Sequence, residues 1–118
     1  MSEEKGDKET LLSEDRLSVK TFADTNHNTT RYFAEIEVNG RKTTSEKHAS
    51  TDLFKDFERT VESLYRKAEI LQTLSSPRAA DALAEDMLND IAELVLLTRA
   101  LLDKIESWRL WKSQEPNL

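Results

Sequence analysis

The sequence predicts an α+β fold, predominantly α. An N-terminal β-hairpin or three-strand meander leads into a long antiparallel two-helix hairpin, which dimerisation would complete as a four-helix bundle. Three observations predict it. Residues 31–38, RYFAEIEV, alternate apolar and polar and run into Asn39-Gly40. From Ser50 onward the apolar period becomes helical. Ser75-Ser76-Pro77 then breaks the helical pattern into two segments joined by a very short connection, so the helices are antiparallel neighbours.

Length and composition bound this reading. The 118 residues fit one domain. Leu, Ile, Val and Phe number 28, above the roughly one-fifth share below which disorder is the default. Of these, 19 lie in residues 51–112 and 8 in residues 1–50, so the second half builds the core. The absence of cysteine excludes thiolate metal sites and disulfides and fits a reducing compartment. No basic flank precedes an apolar run at the N-terminus, and the longest apolar run is four residues, against the ~20 that span a bilayer. A cytoplasmic location is the expectation, which makes the sequon Asn28-Thr29-Thr30 a chance match. The net charge of −6 argues against nucleic acid and anionic membranes as partners, because no basic patch is concentrated enough to offset it.

Residues 1–15 are acidic, with only Leu11 and Leu12 to bury, and are expected to be a disordered tail or a short docking motif. Residues 16–49 form the β-unit. Tyr32, Ala34, Ile36 and Val38 share one face, and Asn39-Gly40 suits a type I′ turn, whose two central residues both need positive φ. That turn sets Val38 opposite Arg41, Glu37 opposite Lys42 and Ile36 opposite Thr43, with Glu37–Lys42 as a cross-strand ion pair. The polar return strand, residues 41–48, belongs at an edge, where its lysines discourage unwanted pairing. Residues 16–23 offer a third strand through Leu17, Val19 and Thr21, with residues 24–30 as its connecting loop.

The helical hairpin occupies residues 50–112, with helices over about 51–74 and 77–112, and residues 113–118 are a C-terminal tail. Ser50 or Thr51 caps the first helix, with Asp52 favourable in its first turn. Its seam is Phe54, Phe57, Val61, Leu64, Ala68 and Leu71, with Leu53 and Tyr65 beside it. Ser76 caps the second helix, with Pro77 at its first position. On this helix the apolar residues from Leu83 to Trp108 cover an arc near 180°, where one neighbour needs about 100°, and Leu96 lies on the opposite side. The first helix cannot cover that arc. The second helix is also longer, so Ile105, Trp108, Leu110 and Trp111 overhang the start of the first. The β-unit is the intramolecular cover for the overhang, bringing Tyr32, Ile36 and Val38 to Trp108. A second copy, or failing that another protein's helix, covers the rest.

No residues carry a reaction. His27 lies in a polar loop and His48 just before the first helix, neither in a Glu-x-x-His pair, so a di-iron bundle is excluded and zinc catalysis lacks ligands. No serine has a His–Asp context, and the two glycines are isolated, so neither a nucleophilic triad nor a phosphate loop can be built. The expectation is a non-enzymatic protein–protein interaction module without cofactor or metal: a homodimeric adaptor, assembly subunit or small chaperone. Leu88, Val95, Leu96, Leu102, Leu110 and Trp111 are the candidate contacts for self or another protein. The alternative is an acidic inhibitor, of immunity or antitoxin type, blocking a basic target with Asp81, Glu85, Asp86, Asp90 and Glu93. Solvated acids paired with Arg66 and Lys67 are the plainer account of that cluster. A nucleic-acid binder would have to use Arg31, Arg41, Lys42 and Lys47.

Overall fold

The computed structural model describes residues 9–13, 16–49 and 52–113. It shows an antiparallel sheet followed by two helices: β1 (Glu9–Ser13), β2 (Leu17–Asn26), β3 (Thr29–Val38), β4 (Arg41–His48), α1 (Leu53–Thr73) and α2 (Pro77–Ser113). The strands lie in the order β1-β2-β3-β4, a simple meander with β4 at an edge.

Two tight turns fix the register of the three long strands. Asn39 and Gly40 have φ of 50° and 86°, and Val38, Glu37 and Ile36 pair with Arg41, Lys42 and Thr43 as the turn dictates. Thr29–Val38 pairs with Leu17–Asn26 along its whole length, Asn26 opposite Thr29. The expected loop over residues 24–30 is therefore only His27-Asn28, with φ of 54° and 67°. This second positive-φ turn went unread because it has no glycine; histidine and asparagine are among the few other residues that tolerate the conformation. Thr25 and Thr30 close the hairpin through a 3.0 Å hydroxyl bond.

The expected disordered tail is corrected at residues 9–13. Glu9–Ser13 pairs with β2, with a bulge between Thr10 and Leu12. Side-chain burial is not what recruits an edge strand; it joins its neighbour through backbone N–H and C=O groups. Residues 1–8, 14–15 and 114–118 lie outside the described residues, as does the expected cap at Ser50 or Thr51. The cap observed on α1 is Asp52, which accepts from the Lys55 N–H at 3.2 Å. Ser76 caps α2 as expected, accepting from the Ala79 N–H at 3.3 Å.

The sheet packs its inner face, with Thr21, Ala23, Tyr32, Ala34 and Ile36 buried, on α2. Ala92, Leu96, Leu97 and Ala100 are the buried positions of α2, and with Ala23, Tyr32, Ala34 and Leu53 all except Ala92 form one cluster. The small residues Ala92 and Ala100, on either side of Leu96, let the helix sit close to the strands. Among the described residues, no helix is long and apolar enough to cross a membrane.

The sheet does not cover the overhang of α2. Arg41 at one end of the sheet reaches Asp81 and Glu85, and Tyr32 towards the other donates to Asp103 at 3.0 Å. The strands thus lie along the body of the helix, where its alanines permit close approach. Tyr32 and Trp108 line one shallow pocket, but Ile36 and Val38 do not reach it. Trp108, Leu110 and Trp111 remain exposed.

Candidate interaction surface

The interior between α1, α2 and β4 is built largely from ions and hydroxyls. Asp56, on α1, is buried. It takes Lys47 of β4 at 3.4 Å and Arg59 at 2.9 Å, and Lys47 also meets Glu93 of α2 at 3.0 Å. About two helical turns further along α1, Asp90 of α2 accepts from Ser63 at 2.8 Å and from Lys67 at 3.0 Å, while Asp86 sits 3.4 Å from Lys67. Burial pushes the Lys47 ammonium down, but Glu93 and Asp56 outweigh it and its pKa stands above the ordinary value. The hydrogen bond to Asp90 leads in raising that of Lys67, against a smaller opposing effect of burial.

This network rotates α1 from its expected setting. The inward positions include Asp56, Thr60, Ser63 and Lys67 beside Leu53, Phe57, Leu64 and Leu71, whereas Phe54, Val61 and Tyr65 of the expected seam are exposed. The reason is complementarity: residues 56, 60, 63 and 67 form their own helical stripe, and α2 presents Asp86, Asp90 and Glu93 to it. Acid and base settle on the shared side, and the bulky apolar flank turns outward.

Around α2 the surroundings divide into three. Thr21 of β2 accepts from Arg99 at 3.0 Å, and Lys47 meets Glu93, so that side faces the sheet. Asp86 and Asp90 meet Lys67, and Trp108 stacks on Phe54 with centroids 6.3 Å apart, so a second side faces α1. Helical geometry, at about 100° per residue, places Ala84, Leu88, Ile91, Val95, Thr98, Leu102 and Ile105 on a third side. Leu88, Ile91 and Val95 are half-buried there, and Leu102 and Ile105 are 54% and 46% exposed. Beside them on α1 stand Phe54, Val61 and Tyr65, between 42% and 65% exposed.

Of the candidate contacts, Leu88, Val95 and Leu102 therefore fall together on this third side. Leu96 does not. It is fully buried beneath the sheet, because the side of α2 opposite the broad apolar arc is where β3 and β4 dock. Leu110 and Trp111, each 58% exposed, occupy the last turns of the helix. Ile91, Thr98 and Ile105 complete the side; all fall at helical spacing from Leu88 and Leu102, which was the signal for including them.

The acidic cluster is already engaged within the molecule. Asp81 and Glu85 lie 3.5 Å from Arg41, Asp86 and Asp90 hold Lys67, and Glu93 holds Lys47. Arg66 pairs instead with Glu62 on its own helix. The four bases of the hairpin are equally matched: Arg31 to Glu46, Arg41 and Lys47 as above, and Lys42 to Glu35 at 3.3 Å rather than to Glu37. Lys42 reaches its diagonal neighbour because side chains of one face alternate along the pleat. No group of acids and histidines able to hold a metal occurs among the described residues. On the outer face of the sheet, Phe22 and Phe33 meet at 5.4 Å in an open groove between Lys20, Glu35 and Glu46. His27 is an exposed turn residue and His48 the exposed end of β4. Comparison with family models, with characterised proteins and with solved structures finds no match for this chain.

Proposed function

We propose that this chain is a non-enzymatic protein-interaction module, an adaptor or assembly subunit that docks through the apolar side of its helix pair. One observation carries the reading: Phe54, Val61, Tyr65, Leu102, Ile105 and Trp108 are all exposed, from 42% to 65%, on two adjacent helices. Single exposed apolar residues are ordinary, but six on two packed helices point to a binding surface. Six large side chains from two rigid helices present a surface suited to another helix. The acidic-inhibitor alternative gains nothing from the fold, since each of its five carboxylates already has a basic partner in the sheet or in α1.

Sedimentation across a wide concentration range, with an apolar dye alongside, tests the reading. Association, or strong dye binding by the monomer, is the expected result. A monomer at every concentration that binds no dye overturns it.

A further inference from the structure

The third side of α2 is complementary to its own reverse. From Asp81 to Arg109 its residues are Asp81, Ala84, Leu88, Ile91, Val95, Thr98, Leu102, Ile105 and Arg109, at alternating spacings of three and four. That alternation is the period of a helix seam that meets another helix. Folded back about Val95, the series matches itself. Leu88 falls opposite Leu102, the small Ala84 opposite Ile105, Thr98 opposite Ile91, and Asp81 opposite Arg109. Each small residue meets a large one, and the charged ends meet with opposite sign.

The charge of the whole helix runs the same way. Residues 77–95 carry five acids and one base, whereas residues 96–113 carry four bases and two acids. A parallel neighbour would set acid beside acid; an antiparallel one sets acid beside base. The sheet and α1 take the other two sides of α2, and the seam meets them only at its border, where Asp81 lies 3.5 Å from Arg41, Leu88 lines a groove with β4 and Val95 touches the core cluster.

We infer that the partner seated on this side is a second copy of the chain, its α2 antiparallel to the first, with the two-fold axis passing at Val95. The contact is isologous: Leu88 of each copy packs on Leu102 of the other, and at both ends the exposed Asp81 and Arg109 face each other, each adding this contact to the 3.5 Å ion pair it makes within its own chain, to Arg41 and Glu106. The flank of α1 with Phe54, Val61 and Tyr65 borders the same contact. This inference rests on the proposed interaction role and specifies its occupant and register.

The chain has no cysteine, so introduced ones report the register without background. Val95→Cys, on the axis, is expected to give an intermolecular disulfide under mild oxidation. Leu88→Cys mixed with Leu102→Cys is expected to cross-link, while each alone is not, because seven residues on either side of the axis separate like positions by roughly 21 Å. Asp81→Arg is expected to weaken association at least tenfold in sedimentation, and Asp81→Arg with Arg109→Asp to restore it. Like-with-like disulfides at residues 88 and 102 overturn the antiparallel register, as does a dimer that forms no Val95 link. A monomer that binds apolar dye overturns the second copy as occupant and leaves the interaction role in place. A monomer that binds none overturns both.

Discussion

The two flanks of α1 invert the usual rule. The flank turned into the molecule carries Asp56, Thr60, Ser63 and Lys67 among Leu53, Phe57, Leu64 and Leu71, and the flank turned to solvent carries Phe54, Val61 and Tyr65. In a small domain apolar burial is the main source of stability, so such an arrangement leaves stabilising surface unused. What the inward flank contributes is orientation. Ion pairs between three elements, β4 to α1 and α2 through Lys47 and α1 to α2 through Lys67, are satisfied in one setting and unpaired in most others. The contrast teaches that charge orients the contact between the helices, while an apolar surface is left open, as the proposed association requires.

The largest expected effect lies on the sealed side of α2. Leu96→Ala, at a position with no exposure, removes a side chain between sheet and helix and should cost about 2–5 kcal/mol, read from denaturant midpoints at constant m. A loss much below this range would mean that the sheet is not docked there.

Next come the ions. Lys47→Met leaves Asp56, whose side chain is 7% exposed, paired with Arg59 and should cost about 2 kcal/mol; the roughly 3–5 kcal/mol of a fully sealed pair is reduced because Arg59 remains and the Lys47 side chain itself is 23% exposed. An unchanged midpoint would remove orientation by charge from the account. The pairs also carry a pH signature. Lys47 and Lys67 have folded pKa values above their ordinary 10.5, so their contribution is complete below that value. It is lost as pH rises through the folded values, since the folded chain then holds protons the unfolded chain releases. Thermal melts should therefore decline above about pH 10.5, with a shallower decline in Lys47→Met.

The smallest effect belongs to the open flank. Tyr65→Lys, at a position 65% exposed, should leave the stability of the isolated chain within about 0.5 kcal/mol, measured at concentrations too low for association. A larger loss would show that this flank already packs within the monomer, and the contrast between the two flanks would dissolve.

Much of this architecture is legible in the residues. Asn39-Gly40 specifies its turn and hence the pairing of β3 with β4, and Ser76-Pro77 marks the start of α2, because both are local signals with few alternatives. The four-residue apolar run at residues 94–97 correctly announces a helix with several neighbours. The errors share a cause: each depended on which partner an element meets. β1 pairs through its backbone, which side-chain patterns do not display. The setting of α1 depends on acids in a distant helix, so a seam chosen for apolar content alone is rotated away from the true one. The apolar arc alone sets Leu96 on the outward side, whereas the sheet takes a side of α2 of its own and covers it.

The edges of the sheet have a last consequence. A strand edge invites copies to add without limit, and both edges here discourage it: β1 is interrupted by its bulge, and β4 is lined with Arg41, Lys42, Glu46 and Lys47. Growth into filaments is thereby blocked at the strands. An association that uses α2 about a two-fold axis consumes the same surface on both copies, so assembly stops at two.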